Sequence, residues 1–346
     1  MKRTAHVTLD DIARRLKVSR VTVSKALRGH PDISEETTRK VRKIAAEIGY
    51  SPNIMARNLS SRHSHMLGLV VPKIAHFFFG SVIEAVYNVA FENNYEIILM
   101  VSQENSERQR KHLETLISMR VDGILISVSE DTHDLAIFDR IKSRGIPLLF
   151  LDRAPDPVPQ GFSSVLVDDR GGAILATEHA IKVGYRKLAH LAGPQDIGIG
   201  KNRLQGFLEA LARHSIEARP EWIIEGGFGK ESGYRGFMEL YNSGNLPEFI
   251  FTVTYPVALG VYEAARDVGV RIPDGVDILC FGDSDMHRFV SPALSCVNQP
   301  TAELGSKAVR MMLEIVKHWE AAPEQHVLIP TELLLRETCI GQRAGA

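Results

Sequence analysis

Between Leu9 and Leu16 the apolar residues Leu9, Ile12, Ala13 and Leu16 fall at i, i+3, i+4 and i+7, the spacing that puts them on one face of a helix, and Arg14 and Arg15 fall on the wet side. Thr8, with Asp11 three residues on, gives this helix a capping box, so the pattern predicts a helix from Leu9 to Leu16. Ser19 is the next N-cap. Beyond it Val23, Ala26 and Leu27 share one stripe, Val21, Ser24, Lys25 and Arg28 lie on the other side, and Arg20 and Thr22 flank that outer stripe. A third helix opens at Ser34-Glu35-Glu36-Thr37, carries Val41, Ile44, Ala45 and Ile48 on one face and closes at Gly49. Three short helices with one minimal core are predicted for residues 1–50.

The segment from Tyr50 to Ser61 has Ser51 as an N-cap and Pro52 at the first helical position, so a helix can start there. It is too short to be stable in isolation, because nucleation is unfavourable below roughly 12 residues. It is expected to be a hinge, 51–63, that folds only when docked.

After Ser64 the pattern changes to nearly continuous apolar runs. MLGLVVP, EIILMVS, GILISVS and IPLLFLD form one set, and SSVLVDD, KLAHLAG, EWIIEGG, FIFTVT and DILCFGD a second. Parallel strands covered on both faces read this way. The body, 64–346, is therefore expected to be α/β, two doubly wound parallel-sheet lobes, with ligands held in a cleft at the carboxyl ends of the strands.

Charge divides along the same line. Residues 1–62 hold fourteen Lys and Arg against six Asp and Glu, a net +8, while the whole chain is −1, leaving −9 for the rest. A basic three-helix head with that outer stripe suits a major groove: Arg and Lys can donate to guanine or phosphate, Ser and Thr to either, and Val21 can touch a thymine methyl.

Other chemistries lack their residues. The start, MKRTAHVTLDD, has no apolar core of a secretory signal, and no apolar run approaches the roughly 18 residues needed to span a membrane, so a cytoplasmic protein without membrane contact is expected. Cys280, Cys296 and Cys339 are scattered, which indicates neither a disulfide framework nor a zinc site. Thirteen His residues include no H-E-x-x-H, and His63 and His65 lie in a polar linker. GIGKNR lacks P-loop spacing, and no G-x-S-x-G is present. No catalytic set, metal or cofactor is predicted.

The head, the segment SPNIMARNLSS and the following LGLVVPKIAHFFF resemble the lactose and galactose repressor family, and the likeness runs through essentially the whole chain. It implies a helix-turn-helix head, a hinge helix and a periplasmic-binding-protein-like body. It also implies that Arg20, Val21 and Lys25 read bases, with Arg28 beside them, that Thr8, Ser19, Thr22, Ser24 and Asn53 mostly position phosphates, and that Leu59, beside Ala56 and Arg57, wedges into the minor groove. Lys17 departs from the family, which often has Gly in that turn; a left-handed residue there costs Lys on the order of 1 kcal/mol.

In the body the resemblance implies that the chain crosses between lobes near Gly161, Ser291 and Pro323. The lobes would then comprise about 64–161 with 292–322, and 162–291 with 323–340. It groups Phe78, Phe79, Asp152, Arg203, Phe228, Thr254, Tyr255, Asp283 and Gln299 as effector-binding residues, a set of aromatic faces, a guanidinium, carboxylates and amides suited to a polyhydroxylated ligand. Thr254-Tyr255 and Gly282 replace the Asn-Asp and Asp of many sugar-responsive members. LDRA with FGD is similar instead to fructose-phosphate-responsive members, in which Arg203 meets a phosphate. Only seven residues follow Cys339, too few for a tetramer-forming tail helix, so a homodimer on a palindromic double-stranded operator is expected. The competing readings are a solute sensor without operator binding and a cytoplasmic α/β sugar-phosphate enzyme; a mobility shift on a palindrome separates them.

Overall fold

A computed structural model describes residues 7–50, 63–74, 77–132, 134–319 and 321–341. The chain divides into two compact units, Met1–Ser64 and His65–Ala346. In the first, α1 (Leu9–Leu16), α2 (Arg20–Leu27) and α3 (Glu35–Glu47) form at the predicted places. Ile12, Val23, Ala26 and Val41 are fully buried where the three helices meet, with Leu9, Leu16, Leu27 and Ile44 packed around them. Ser19 caps α2 by accepting the Thr22 N–H at 3.0 Å, and Ser34 caps α3 through the Thr37 N–H at 3.3 Å. Gly49, at φ +67°, ends α3 as expected of a left-handed C-terminal residue.

The second unit runs β1 (Met66–Val71), α4 (Phe77–Glu92), β2 (Glu96–Val101), α5 (Ser106–Met119), β3 (Gly123–Ile126), α6 (Ala136–Ser143), β4 (Leu148–Leu151) and β5 (Ser163–Val167). It continues with α7 (Asp169–Lys182), β6 (Leu188–Ala192), α8 (Gly198–Arg213), β7 (Ile223–Glu225), α9 (Lys230–Asn242), β8 (Phe249–Thr252), α10 (Tyr255–Asp267), β9 (Asp277–Phe281) and β10 (Ser295–Asn298). It ends with α11 (Thr301–Lys317), β11 (His326–Ile329) and β12 (Glu332–Leu334). Two six-stranded sheets result, ordered β11-β5-β4-β3-β1-β2 and β12-β10-β9-β8-β6-β7. All pairings are parallel except β10 with β12.

The apolar runs are explained by helices on both faces of each sheet. In the first lobe Leu67, Leu69, Leu125 and Leu149 pack with Val82, Val86 and Leu304 of α4 and α11, while the alternate residues Val70, Ile124, Ile126 and Phe150 pack with Leu113, Leu116 and Phe138 of α5 and α6. The second lobe repeats this, Phe249, Phe251 and Phe281 facing α7 and α8 while Ile250, Ile278 and Cys280 face α9 and α10. A strand buried on both sides has no polar face to display, so its sequence loses the alternation of a half-exposed strand.

The crossings between lobes fall later than Gly161, Ser291 and Pro323. β5 is in register with β4, Leu149 opposite Ser163, so the chain stays in the first lobe through Val167. β10 pairs with β9, Ser295 opposite Leu279, which keeps the second lobe intact to Asn298. β11 pairs with β5 through Ile329, so the last crossing lies between Ile329 and Glu332. Glycine and proline mark turns, and these three turns sit inside a lobe; sheet membership is decided by ladder pairing, which punctuation residues do not encode.

Candidate DNA-reading helix and ligand cleft

Thr8 donates both its backbone N–H and its hydroxyl to the Asp11 carboxylate, at 2.9 and 2.8 Å, and these bonds hold Asp11 below its ordinary pKa. The chain then turns through Lys17 at φ 55°, ψ 40°, the left-handed conformation for which the family often uses Gly. That turn brings α2 round with Val23 and Ala26 inward, leaving Val21 63 % exposed. An isolated valine on an otherwise polar helix face gains nothing from water, and a thymine methyl is a fitting partner.

The basic residues of α2 are held by weak local partners. Lys25 Nζ lies 2.8 Å from Asp32, and Arg20 lies 3.9 Å from Asp10. Arg28 folds back on Ser24, donating from Nε to its carbonyl at 3.1 Å and from Nη2 to its hydroxyl at 3.0 Å. Asp32, not among the predicted site residues, is thus the partner that holds the Lys25 amine in the head. Asn53, Ala56, Arg57 and Leu59 lie outside the described residues.

In the body, seven of the nine predicted effector residues line one cavity of about 270 Å³: Phe78, Phe79, Asp152, Arg203, Phe228, Thr254 and Gln299. Asp152, Phe228, Thr254 and Gln299 lie just past the carboxyl ends of β4, β7, β8 and β10, while Phe78 and Phe79 belong to α4 and Arg203 to α8. Asp283 lies in an adjoining cavity of about 210 Å³ that shares Phe78 and Gln299. Burial alone would raise the Asp283 carboxyl, but hydrogen bonds from Arg336, at 2.7 Å, and from the Ser284 N–H hold it below its ordinary value. Tyr255 does not line the main cavity. It is buried in the second lobe's core, where desolvation pushes its phenol up to about 12. The first residue of a helix is displayed or buried according to its phase, and here the phase turns Thr254 rather than Tyr255 toward the cleft.

Arg203 is more constrained than expected. Its Nε and Nη2 donate to one Asp169 oxygen at 2.8 and 2.7 Å, Nη1 donates to the Val253 carbonyl, and its carbon centre sits 3.6 Å from the Phe281 ring centroid. Of five guanidinium N–H groups two remain for a ligand. α8 comes close enough to α7 to form this pair because of Gly206, where an added Cβ would lie 2.4 Å from the Arg170 carbonyl oxygen. Asp152 adopts φ 65°, a strained conformation for a residue with a Cβ, and accepts from Ser127 at 3.3 Å. Desolvation, opposed by Arg153 and Arg203, pushes its carboxyl up to about 7.

Sequence reasoning missed Lys73, Glu104 and Arg153, which line the same cavity. Arg153 Nη1 donates to both Glu104 oxygens at 3.1 Å, and its guanidinium lies 5.3 Å from the Phe228 centroid across the cleft. Their signal was position: each lies just past the carboxyl end of a strand of the first sheet. A further tie between lobes is Lys201 of α8 with Asp156, 2.7 Å apart.

A basic helix-turn-helix head followed by a two-lobed, periplasmic-binding-protein-like body defines a class of transcriptional regulator. The family model described as bacterial regulatory proteins, lacI family, matches residues 8–53, and that of a periplasmic binding protein-like domain matches 177–339. The ribose operon repressor of Haemophilus influenzae is 33% identical over 331 residues, 96% of this chain and 98% of that protein. The PurR transcriptional repressor of Proteus mirabilis is 32% identical over 309 residues, 89% of each. Among solved structures, the lac repressor dimer bound to operator and the anti-inducer ONPF has a TM-score of 0.85 at 25% identity, covering 97% of this chain and 100% of that one. The CelR–cellobiose complex has a TM-score of 0.72 at 26% identity, covering 96% and 100%. The chain belongs to the lacI family of bacterial regulatory proteins and is a DNA-binding transcriptional repressor. Its relatives are repressors rather than enzymes, and no helix among the described residues is long and apolar enough to cross a membrane.

Proposed function

We propose that the protein acts in the cytoplasm as a homodimer that binds a palindromic operator governing carbohydrate metabolism genes, and that a small sugar or sugar phosphate in the cleft controls this binding. The observation that carries the reading is the exposed Val21 in the first turn of a polar, basic α2 on a head that is separate from a cleft-bearing body. Two heads related by two-fold symmetry read two half-sites, roughly 34–36 Å or a multiple apart. Arg20, Val21 and Lys25 meet base edges with Arg28 beside them, Thr8, Ser19, Thr22, Ser24 and Asn53 fix the phosphates, and Leu59 with Ala56 and Arg57 enters the minor groove.

The hinge, 51–63, links head to body. Ligand in the cleft changes the relation of the two lobes and thereby the ease with which paired hinge segments order on DNA. Such coupling is reciprocal, so operator binding shifts ligand affinity by the same factor. Phe78, Phe79 and Phe228 supply apolar faces, Arg203, Asp152, Thr254 and Gln299 polar contacts, and Asp283 lines the adjoining cavity.

The test is a mobility shift of the full chain on palindromic, half-site and random DNA across salt, with and without sugars and their phosphates. Palindrome binding tighter by orders of magnitude and a response to one metabolite class are expected. Equal affinity for random DNA at every salt concentration overturns the reading. Leu59→Ala is expected to weaken operator binding far more than random-DNA binding; equal losses contradict the wedge.

A further inference from the structure

We propose that the amino edge of the first sheet carries a second small-molecule site, separate from the cleft, and that its ligand is a free amino acid with an apolar side chain. A cavity of about 250 Å³ opens there, where β4 begins at Leu148 and β5 at Ser163. It is nearly as large as the cleft cavity and lies at the opposite ends of the strands. Its floor is apolar, made by the buried Leu148, Phe162 and Ile315. Trp319, just past the end of α11, lines the same cavity with 41% of its surface in water, and its indole N–H has no acceptor among the described residues. A half-wet indole beside an apolar floor gains from an apolar body laid against both.

Two opposite charges border this floor. Lys142 of α6 lies over Gly161, where φ is +91° and an added Cβ would collide with the amine. Its Nζ donates to the Gln160 carbonyl at 3.1 Å and sits 5.8 Å from the Phe162 ring centroid. Glu324 lines the same cavity, and neither residue has an ion-pair partner among the described residues. A simple anion satisfies the lysine and is repelled by the glutamate, and a simple cation does the reverse. An apolar amino acid meets all three features: its carboxylate goes to Lys142, its ammonium to Glu324, and its side chain to the floor against Trp319. The site also sits at one end of α11, a helix about 25 Å long. At the other end Gln299 lines the cleft and Thr301 the adjoining cavity. β4 stands two places from β1, about 10 Å, and β1 begins shortly after the hinge. A ligand that fixes the end of α11 therefore bears on the element that borders the cleft, and its occupancy is expected to alter operator binding.

The experiment titrates the full chain with L-phenylalanine, read by calorimetry and by tryptophan fluorescence, beside 3-phenylpropionate, phenethylamine and glycine, which lack in turn the ammonium, the carboxylate and the apolar body. Phenylalanine is expected to bind with a Kd of about 1 mM. The two one-charge analogues should bind about 3- to 5-fold more weakly, and glycine not at all. Lys142→Met should abolish the difference between phenylalanine and phenethylamine, and Glu324→Gln that between phenylalanine and 3-phenylpropionate; both side chains are exposed, so the fold is retained. Trp319→Phe should remove the fluorescence response. The site is overturned if phenylalanine does not bind, if glycine or a one-charge analogue binds as tightly, or if the variants leave those differences intact. The effect on DNA rests on the operator reading and is measured apart: saturating phenylalanine should move the affinity for the palindrome about fivefold or more. An unmoved affinity overturns the regulatory role, whereas a chain that shifts no palindrome even without the amino acid overturns the operator reading and leaves the binding result standing.

Discussion

On the head, Lys25 and Asp32 pair with 35% and 59% of their side chains in water, and the exposed Arg28 leans on the half-buried Ser24. In the cleft, Arg203 and Asp169 pair at 3% and 6% exposure, stacked on Phe281 beneath a Gly206 that lets two helices close together. An exposed pair is worth about 0–1 kcal/mol, so under the proposed reading DNA replaces the partner of Lys25 at small cost. A buried pair locks geometry, and breaking it leaves an uncompensated charge. The same chemistry thus serves exchange in one unit and fixed shape in the other.

Arg203→Ala should show the widest gap between the two units. Removing one member of the buried pair is expected to destabilise the body by about 3–5 kcal/mol. Both tryptophans, Trp222 and Trp319, lie in the body, so urea unfolding followed by their fluorescence reports that unit alone. A loss under about 1 kcal/mol would mean the pair contributes little, and the contrast with the head would fail.

Asp152 sharpens the comparison through pH. Its carboxyl is raised from 3.8 to about 7, so between those values the folded state holds a proton that the unfolded chain has released. Stability contributed by this group is therefore full below about pH 4, declines as pH rises toward 7, and is level above. Asp152→Asn removes the dependence; the wild-type minus variant unfolding free energy should fall by roughly 2–4 kcal/mol across that window. A flat difference profile would show that Asp152 is ionised throughout. Lys25→Ala, on the head, should leave body unfolding unchanged and reduce preference for operator over shuffled DNA by about 1–3 kcal/mol. Equal losses on both DNAs would make Lys25 a phosphate contact.

The head was legible almost residue by residue because caps and periodicity are local: Thr8, Ser19, Ser34 and Gly49 each act within four residues of themselves. The body was legible as a class of fold, since strands covered on both faces advertise themselves as apolar runs. Its lobe boundaries were not, because pairing of β5 with β4 and of β11 with β5 joins residues far apart in sequence. The cleft falls between. Strand ends located Asp152, Thr254 and Gln299, whereas the pairing of Arg153 with Glu104 depends on consecutive left-handed residues, Gln103 and Glu104, at φ 55°. Nothing local in the run SQEN announces that geometry. Tyr255 failed for a related reason: adjacency to Thr254 fixes its position along the chain, and helix phase fixes which way it points.

The smallest effect probes the head's exchange most directly. Asp32 holds Lys25 at 2.8 Å and is itself held below its ordinary pKa, first by the hydrogen bond from Lys25 and then by its charge. In the free head that bond engages the amine that the proposed reading gives to DNA. Asp32→Asn keeps the shape and removes a negative charge from a surface that must approach DNA. Since the exposed pair is worth under about 1 kcal/mol, the expected gain is no more than about fivefold in affinity, similar on operator and random DNA. The gain should be largest at low salt and shrink as the Debye length contracts. A loss of affinity would mean that Asp32 orients Lys25 for base reading, and the head would then resemble the body in relying on fixed ion pairs.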